Sequence, residues 1–188
     1  MRDIRTLVLI GMLGGASFIL MATLQVPILP AAPYLRYDPS DVVGLMAAII
    51  LGPAAGVAVV GLKAVLYFIF RARSVFGPAA NFIAVAAFVG AAGWAFRLRP
   101  RSSTLWMLAA VGVGVLARVA AAIPANFVIL NLQFGMPPAQ VAAMLRPVII
   151  PFNVLAGALN GVLAVVLLAA LWRRGHLAPD ARELPQHH

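Results

Sequence analysis

The chain reads Pro33-Tyr-Leu-Arg-Tyr-Asp-Pro-Ser-Asp-Val-Val-Gly44 between two strongly apolar segments. Two acids, an arginine and two tyrosines cluster here, in surroundings made almost entirely of hydrocarbon side chains. The second half has the signature of a helix start: Asp38 can cap the helix, Pro39 fits its first position, and Asp41 places a carboxylate in its first turn. The sequence therefore predicts a polar loop leading into a capped helix, either as the rim of a site or as an ordinary capped loop.

Composition places the chain in a membrane. Hydrophobic residues make up 63% of its 188 positions and charged residues 10%, whereas a soluble domain carries roughly 25% charged residues. There is no cysteine, which excludes disulfides, thiolate zinc sites and cysteine nucleophiles. The net charge of +9 comes from basic residues near the ends of apolar runs. That distribution is typical of membrane topology and argues against a nucleic-acid partner.

Length and turn residues predict an all-α integral membrane protein, with six spans in one compact bundle and a long first external loop. The spans cover about residues 6–26, 41–51, 53–70, 76–96, 105–132 and 148–172, with a short helix within 138–145. The second span is short for the ~20 residues of a crossing, so it must be tilted, extended into the loop or shielded by neighbours. Residues 1–175 form the membrane domain, and 176–188 form a polar cytoplasmic tail that we expect to be disordered.

The arginines predict the orientation of the bundle. For six spans, one side receives the larger group: Arg2, Arg5, Arg97, Arg99, Arg101, Arg173 and Arg174. The other side receives Arg36, Arg71, Arg73 and Arg146. Because cytoplasmic loops carry the excess of positive charge, both termini are expected to face the cytoplasm, with the protein in the plasma membrane.

Two cations, Lys63 and Arg118, lie inside apolar spans. Each costs about 2.5–3.5 kcal/mol to insert at the centre of a span, so each needs a cavity, a polar partner or an interface. Asp41 is the acid nearest to a span and could pair with one of them. The alternative is snorkelling towards a helix end, which is the preferred interpretation for Lys63 but less so for Arg118.

Side-chain amides converge on the outward half of the predicted bundle. They are Asn81, Asn126, Asn131, Gln133 and Asn153. An amide offers donors and an acceptor, the pattern needed to recognise a neutral heterocycle with alternating C=O and N–H groups. Any single amide could equally join two helices, a contact worth about 0.6 kcal/mol. Their convergence favours a ligand site.

Several motifs together resemble a known family. They are Tyr34-Leu-Arg-Tyr-Asp-Pro-Ser-Asp41, Leu51-Gly-Pro-Ala-Ala-Gly56 with Lys63, Gly77-Pro-Ala-Ala-Asn81-Phe82, Pro124-Ala-Asn126-Phe-Val and Pro151-Phe-Asn153. In this order they resemble the substrate-binding S components of energy-coupling factor (ECF) vitamin transporters, most closely the riboflavin-specific branch. The match covers nearly the whole chain.

The resemblance implies a high-affinity substrate-binding subunit of an ECF-type importer that takes up riboflavin or a related flavin. It implies six membrane helices and a first external loop that covers a pocket on the extracytoplasmic side. Asn126 and Asn153 are expected to contact the flavin ring. The loop residues Tyr34, Leu35, Arg36 and Tyr37, with the amides Asn81 and Gln133, complete the expected ligand-binding residues.

The chain also departs from the riboflavin branch. Members of that branch commonly carry a lysine three residues after the asparagine of the sixth helix, where this chain has Ala156. After the asparagine of the fifth helix they tend towards Pro-Leu-Tyr, where this chain has Asn131-Leu-Gln133-Phe134. A different small vitamin, or a structural membrane subunit without a ligand, remains the alternative.

Energy for transport has to come from partners. The chain has no Gly-x-x-x-x-Gly-Lys-Ser/Thr phosphate loop, so the resemblance implies a coupling transmembrane subunit and a pair of cytoplasmic ATPases. Gly11 and Gly15 correspond to a small-residue face that packs on the coupling subunit in that family. Two small residues one turn apart allow close approach of another helix, although that helix could belong to the same chain.

An intramembrane enzyme is improbable. All three histidines follow the last span, so a serine nucleophile would have no histidine base in the membrane. The spans also lack the histidine or carboxylate clusters of a metal site. Neither a metal nor a cofactor is expected, apart from the transported ligand.

Overall fold

The computed structural model describes residues 2–30, 35–72, 74–98 and 104–173. Its helices are α1 (Arg2–Thr23), α2 (Asp41–Ile50), α3 (Pro53–Phe70), α4 (Phe76–Arg97), α5 (Thr104–Phe134), α6 (Pro138–Met144) and α7 (Ile150–Arg173), with a π-helical turn over Leu145–Ile149 between the last two. Two short strands, β1 (Val26–Pro27) and β2 (Arg36–Tyr37), pair antiparallel in the loop after α1. The predicted tail and the predicted ligand residue Tyr34 lie outside the described residues.

The predicted all-α membrane fold is confirmed at the level of its helices. Five segments are long and apolar enough to cross a membrane: Ile4–Thr23, Pro53–Phe70, Phe76–Arg97, Thr104–Phe134 and Pro138–Arg173. Helix α2 has 10 residues, about 15 Å at 1.5 Å per residue. By itself it is therefore too short to span the ~30 Å hydrocarbon core.

Protein surrounds the short helix α2. It contacts α1, α3, α4 and α7, and its Leu45 and Ala48 are fully buried. The sequence left three possibilities open for this short helix: tilt, extension into the loop, or shielding by neighbouring helices. The structure shows shielding. The core continues from α2 through Val60 on α3 and Phe88 on α4 to Val111 on α5.

Glycines allow α2, α3 and α4 to pack closely. A Cβ added at Gly56 of α3 would lie 2.5 Å from the Ala48 Cβ and 2.7 Å from the Gly44 carbonyl oxygen. A Cβ at Gly93 of α4 would lie 2.8 Å from the same Ala48 methyl. All three distances are shorter than real Cβ contacts, so the backbones approach to a distance that only glycine permits.

The start of α2 agrees with the predicted span but not with the predicted cap at Asp38. The helix begins at Asp41, three residues after the expected cap. Asp38 nevertheless accepts a hydrogen bond from the Ser40 backbone N–H at 2.9 Å, and the Val42 N–H bonds to the Pro39 carbonyl at 3.2 Å. The residues expected to open the helix form a tight turn in front of it, because the i→i+4 ladder starts only at Asp41.

Prolines explain the irregular entry into the last helix. Pro147 and Pro151 have no N–H to donate to the preceding turn, and the chain widens into the π-helical turn Leu145–Ile149 at this point. Such π turns often occur at functional sites. Here the turn carries Val148 and Ile149 into the wall of the cavity described below.

Helix α1 packs at the edge of the bundle, mainly on α3. Its Gly14 faces the Leu62 side chain, whereas a Cβ added at Gly11 or Gly15 would meet nothing within 4 Å. The Gly11/Gly15 face is therefore open among the described residues. Internal packing, the alternative role for these two glycines, is not observed.

Candidate ligand site

A cavity of about 400 Å³ opens at the end of the bundle that carries the β1–β2 loop. Its volume falls within the 300–1,000 Å³ common for ligand pockets. Much of its wall is apolar, with Met21 of α1, Phe76 of α4, Ile129, Leu130 and Phe134 of α5, and Phe152 of α7. A flat apolar ligand could lose most of its water contact here.

Six of the eight predicted ligand-binding residues line this cavity: Leu35, Arg36, Asn81, Asn126, Gln133 and Asn153. Tyr37 does not belong to the lining, because its hydroxyl points deeper and donates to Asn160 Oδ1 at 3.1 Å. Tyr34 is not described. The loop, α4, α5 and α7 therefore meet at the cavity with four of the five amides that the sequence grouped, while ligand contact itself stays a prediction. Asn131 is exposed and does not line the cavity, so its place in that group is wrong.

Two of the amides keep an acceptor available. Asn126 donates through Nδ2 to the Ala122 carbonyl of its own helix at 2.8 Å, which orients the side chain and leaves Oδ1 without a bond to the described residues. Asn81 Oδ1 is buried and likewise has no partner among the described residues. A buried acceptor without a donor is costly, so a ligand N–H group would be well accommodated beside it.

Asn153 is already engaged on both sides of its amide. Its Nδ2 donates to the Ile149 carbonyl at 2.8 Å, and its Oδ1 accepts from Arg118 Nε at 3.1 Å. Asn153 is also 6% exposed. Its main role in this structure is to hold Arg118.

Below the cavity lies a buried ion cluster made of Asp41, Lys63 and Arg118, which we name the Asp41 cluster. Lys63 Nζ lies 2.7 Å from Asp41 Oδ1, and Arg118 Nη1 lies 2.7 Å from Asp41 Oδ2. The three residues are 2%, 0% and 2% exposed, respectively. The snorkelling interpretation of Lys63 is therefore wrong, and Asp41 pairs with both cations instead of one.

Further polar groups complete the cluster on the loop side. Lys63 Nζ also donates to Ser40 Oγ at 3.0 Å, and Ser40 Oγ donates to Asp38 Oδ1. Burial raises the pKa of the Asp38 carboxyl, and the nearby Asp41 carboxylate raises it further. These hydrogen bonds fix the end of the loop over the start of α2.

The cluster also connects the first and last helices. Asn160 of α7 donates to the Asp38 carbonyl at 3.1 Å and to Asp41 Oδ2 at 3.3 Å. Ser17 of α1 donates to the Ser40 carbonyl at 2.9 Å. Five helices, α1, α2, α3, α5 and α7, therefore meet through one set of polar groups directly beneath the cavity.

The sequence did not identify every polar residue of the cavity. Arg118, Gln25 and Tyr67 also line the cavity. Gln25 donates through Nε2 to the Tyr67 hydroxyl at 3.2 Å. The sequence drew attention to Arg118 because it lies inside a span. Which way its side chain points, however, depends on the rotation of α5 about its own axis relative to α7. Among the described residues, no group of three or more metal-ligating side chains is present.

Comparison with known proteins identifies the family. The family model for the substrate-specific component of ECF transporters matches residues 5–168. The chain is 32% identical to the riboflavin transporter RibU of Staphylococcus aureus (strain TCH60), over 91% of this chain and 92% of RibU. It is 38% identical to the riboflavin transporter FmnP of Bacillus subtilis (strain 168), over 46% of each protein.

A solved structure gives the same result. It is described as the S component of a bacterial ECF transporter, and its chain aligns with a TM-score of 0.77 and 28% identity. The alignment covers 93% of this chain and 99% of that one. The matching model, the similar relative and the shared fold all support a multi-pass plasma-membrane subunit that binds a substrate and is not an enzyme. This chain belongs to the substrate-specific components of ECF transporters.

Proposed function

We propose that this chain binds riboflavin, or a closely related flavin, with high affinity and delivers it for import. The supporting observation is the cavity, where amides from α4, α5 and α7 line an otherwise largely apolar space. The Asn81 and Asn126 carbonyl oxygens, which have no partner among the described residues, can accept from a ring N–H, while amide N–H groups can donate to ring carbonyls. The names of the two relatives support the same ligand.

The departure at Ala156 is compatible with this proposal. Ala156 is 2% exposed and is not among the residues that line the cavity. Gln133, from the second departing stretch, does line it and supplies another amide. A changed contact pattern around the same ring is therefore expected, and not the loss of the site.

The proposed arrangement in the membrane has six spans, with α2 counted as the second and both termini in the cytoplasm. The cavity then faces the outside, covered by the long loop between α1 and α2. A coupling transmembrane subunit docks on the open Gly11/Gly15 face of α1, and a pair of cytoplasmic ATPases supplies the energy. The open space beside both glycines supports this docking face.

The deciding experiment is an absorbance spectrum of the detergent-purified protein, followed by titration of the apoprotein with riboflavin. The flavin's own fluorescence is the better signal, because Trp94, Trp106 and Trp172 lie ten or more residues along their helices from the lining positions. That separation is roughly 15 Å or more. Flavin bands or nanomolar binding support the proposal. A colourless protein that binds neither riboflavin nor related flavins refutes it and calls for mass spectrometry of whatever molecule co-purifies.

A further inference from the structure

We infer that Arg118 binds the ligand directly, donating from its guanidinium to a ring carbonyl oxygen, and that it thereby sets specificity. This rests on the proposed function, since the carbonyl is one of the two on the flavin ring. Arg118 lies on α5 and lines the cavity. An arginine inside a membrane span is expected to have a function unless its partners account for all of it.

Hydrogen bonds hold the Arg118 guanidinium in place but leave some of its N–H donors without a partner among the described residues. Nη1 donates to Asp41 Oδ2 at 2.7 Å, and Nε donates to Asn153 Oδ1 at 3.1 Å. The group also lies over the Phe88 ring, 5.9 Å from its centroid. Of the five N–H donors of an arginine, two are engaged. Nη2 makes no hydrogen bond to any residue that the structure describes.

A guanidinium that is held in place and still has N–H groups available to a ligand can discriminate between ligands. The side chain cannot rotate away, because Asp41 and Asn153 hold two of its nitrogens. A ligand that presents a strong acceptor gains a charge-assisted hydrogen bond. A ligand that presents a weak acceptor leaves a buried donor unsatisfied, and sites built to hydrogen-bond a substrate group reject analogues that lack it.

Charge in the Asp41 cluster favours an acceptor over a cation as the bound group. Asp41 is the one carboxylate that pairs directly with the two cations, Lys63 and Arg118, among the described residues. The Asp38 carboxyl also lines the cavity, and burial raises its pKa, which favours its neutral form. Removing Arg118 leaves Asp41 paired with Lys63, so an uncharged replacement exposes no unpaired charge. This makes the inference open to test by mutation.

The test compares riboflavin with 2-thioriboflavin and 4-thioriboflavin, in which a weaker sulfur acceptor replaces one carbonyl oxygen. Binding is measured for the unaltered chain, for Arg118→Met and for Arg146→Met, a control at an exposed arginine outside the cavity lining. We expect Arg118→Met to weaken riboflavin binding by roughly 10- to 100-fold. It should also abolish the preference for oxygen over sulfur at one of the two ring positions. Arg146→Met should preserve both the affinity and the preference.

A merely structural arginine gives a different result. Equal loss of affinity for all three flavins, with the oxygen preference intact, overturns the inference. Should Arg118→Met fail to fold, Arg118→Lys keeps the charge beside Asp41 but not the planar fork. It should bind riboflavin more weakly and with a reduced preference, and an unchanged preference in this variant also overturns the inference. If the unaltered chain binds none of the three flavins, the proposed function is wrong, and so is the assignment of Arg118 as a ligand contact.

Discussion

Replacing Asp41 by asparagine removes the carboxylate that Lys63 and Arg118 share. Two cations would then be buried together without the carboxylate that pairs with both, and the nearest remaining acid, Asp38, reaches Lys63 only through Ser40. Breaking a buried ion pair in this way costs about 3–5 kcal/mol. We expect Asp41→Asn to lower the Tm of the detergent-purified protein by many degrees, measured by thermal unfolding followed by size-exclusion chromatography.

A second substitution separates charge from packing. Lys63→Met in the Asp41→Asn background removes one of the two unpaired cations, so part of the lost stability should return. The interaction energy from the double-mutant cycle isolates the Asp41–Lys63 pair. Equal Tm values for Asp41→Asn and the unaltered chain would contradict the assignment of Asp41 as their shared partner.

Asn126→Ala tests the cavity amides. Among the described residues, the Asn126 side chain bonds only to the Ala122 carbonyl of its own helix and leaves Oδ1 without a partner, so its loss should affect ligand binding more than folding. We expect riboflavin affinity to fall roughly threefold to tenfold, the worth of one neutral hydrogen bond. Titration monitored by flavin fluorescence provides the measurement.

Asn131→Ala is the matched control for that change. Asn131 lies on the same helix, is exposed and donates to the Met136 carbonyl, but it does not line the cavity. Its removal should leave the affinity unchanged. Equal effects of the two substitutions would mean that α5 responds as a whole and that Asn126 is not a ligand contact.

At the scale of single residues, the sequence identified most of the polar residues of the site, but it did not predict which atoms those residues contact. The amides were found because polar side chains are rare in a chain this apolar. Asp41 was named as a possible partner of one cation, but Lys63 was misjudged because the two residues lie 22 positions apart on different helices, and no local pattern shows that their side chains meet. The use of Asn153 to hold Arg118 depends on the rotation of α5 against α7, which the sequence does not encode in any short motif.

Gly56→Ala tests the close approach of the helices around α2. The added methyl would lie 2.5 Å from the Ala48 Cβ and 2.7 Å from the Gly44 carbonyl oxygen, so α2 and α3 would have to separate. Overpacking of this kind costs typically about 1–3 kcal/mol. The Tm of Gly56→Ala should therefore fall.

Gly112→Ala makes the same chemical change where there is room. Gly112 is exposed on α5, and a Cβ there meets nothing within 4 Å. Its Tm should hold or rise slightly, since alanine favours a helix over glycine by about 1 kcal/mol in water. If Gly112→Ala lowered the Tm as much as Gly56→Ala, the close packing around Gly56 would not be the cause of its loss of stability.

Among the elements, the helices could be predicted, including the short α2 and α6, whereas the π-helical turn could not. Apolar runs and Gly-Pro breaks placed α1, α3, α4, α5 and α7 within a few residues of their observed bounds. The π-helical turn at Leu145–Ile149 was missed. Proline indicates where a helix is disturbed, but whether the chain kinks, stops or widens depends on what packs against it.

The proposed docking of α1 on a coupling subunit is tested at the scale of the whole molecule. Gly11→Leu together with Gly15→Leu would fill the open face of α1 without touching the cavity or the Asp41 cluster. We expect riboflavin affinity to stay the same, while co-purification with the coupling subunit and ATPases, and uptake by cells, are lost.

Gly112→Leu provides the control for that experiment. It adds the same side chain to another exposed glycine with open space around it, on a different helix. Assembly and uptake should survive. If both variants lose assembly, added bulk on the lipid-facing surface is responsible; if neither does, the docking face lies elsewhere.

The Asp41 cluster has a consequence for biogenesis. Asp41 and Lys63 are 22 residues apart on consecutive helices, whereas Arg118 follows Asp41 by 77 residues. Helices α2 and α3 can therefore leave the translocon as a hairpin whose two charges already cancel. Helix α5 arrives later, and its arginine enters the bilayer next to a carboxylate that is already in place. The order of synthesis thus places Asp41 and Lys63 together before Arg118 is made, so that the arginine of α5 enters the bilayer with its carboxylate partner already upstream.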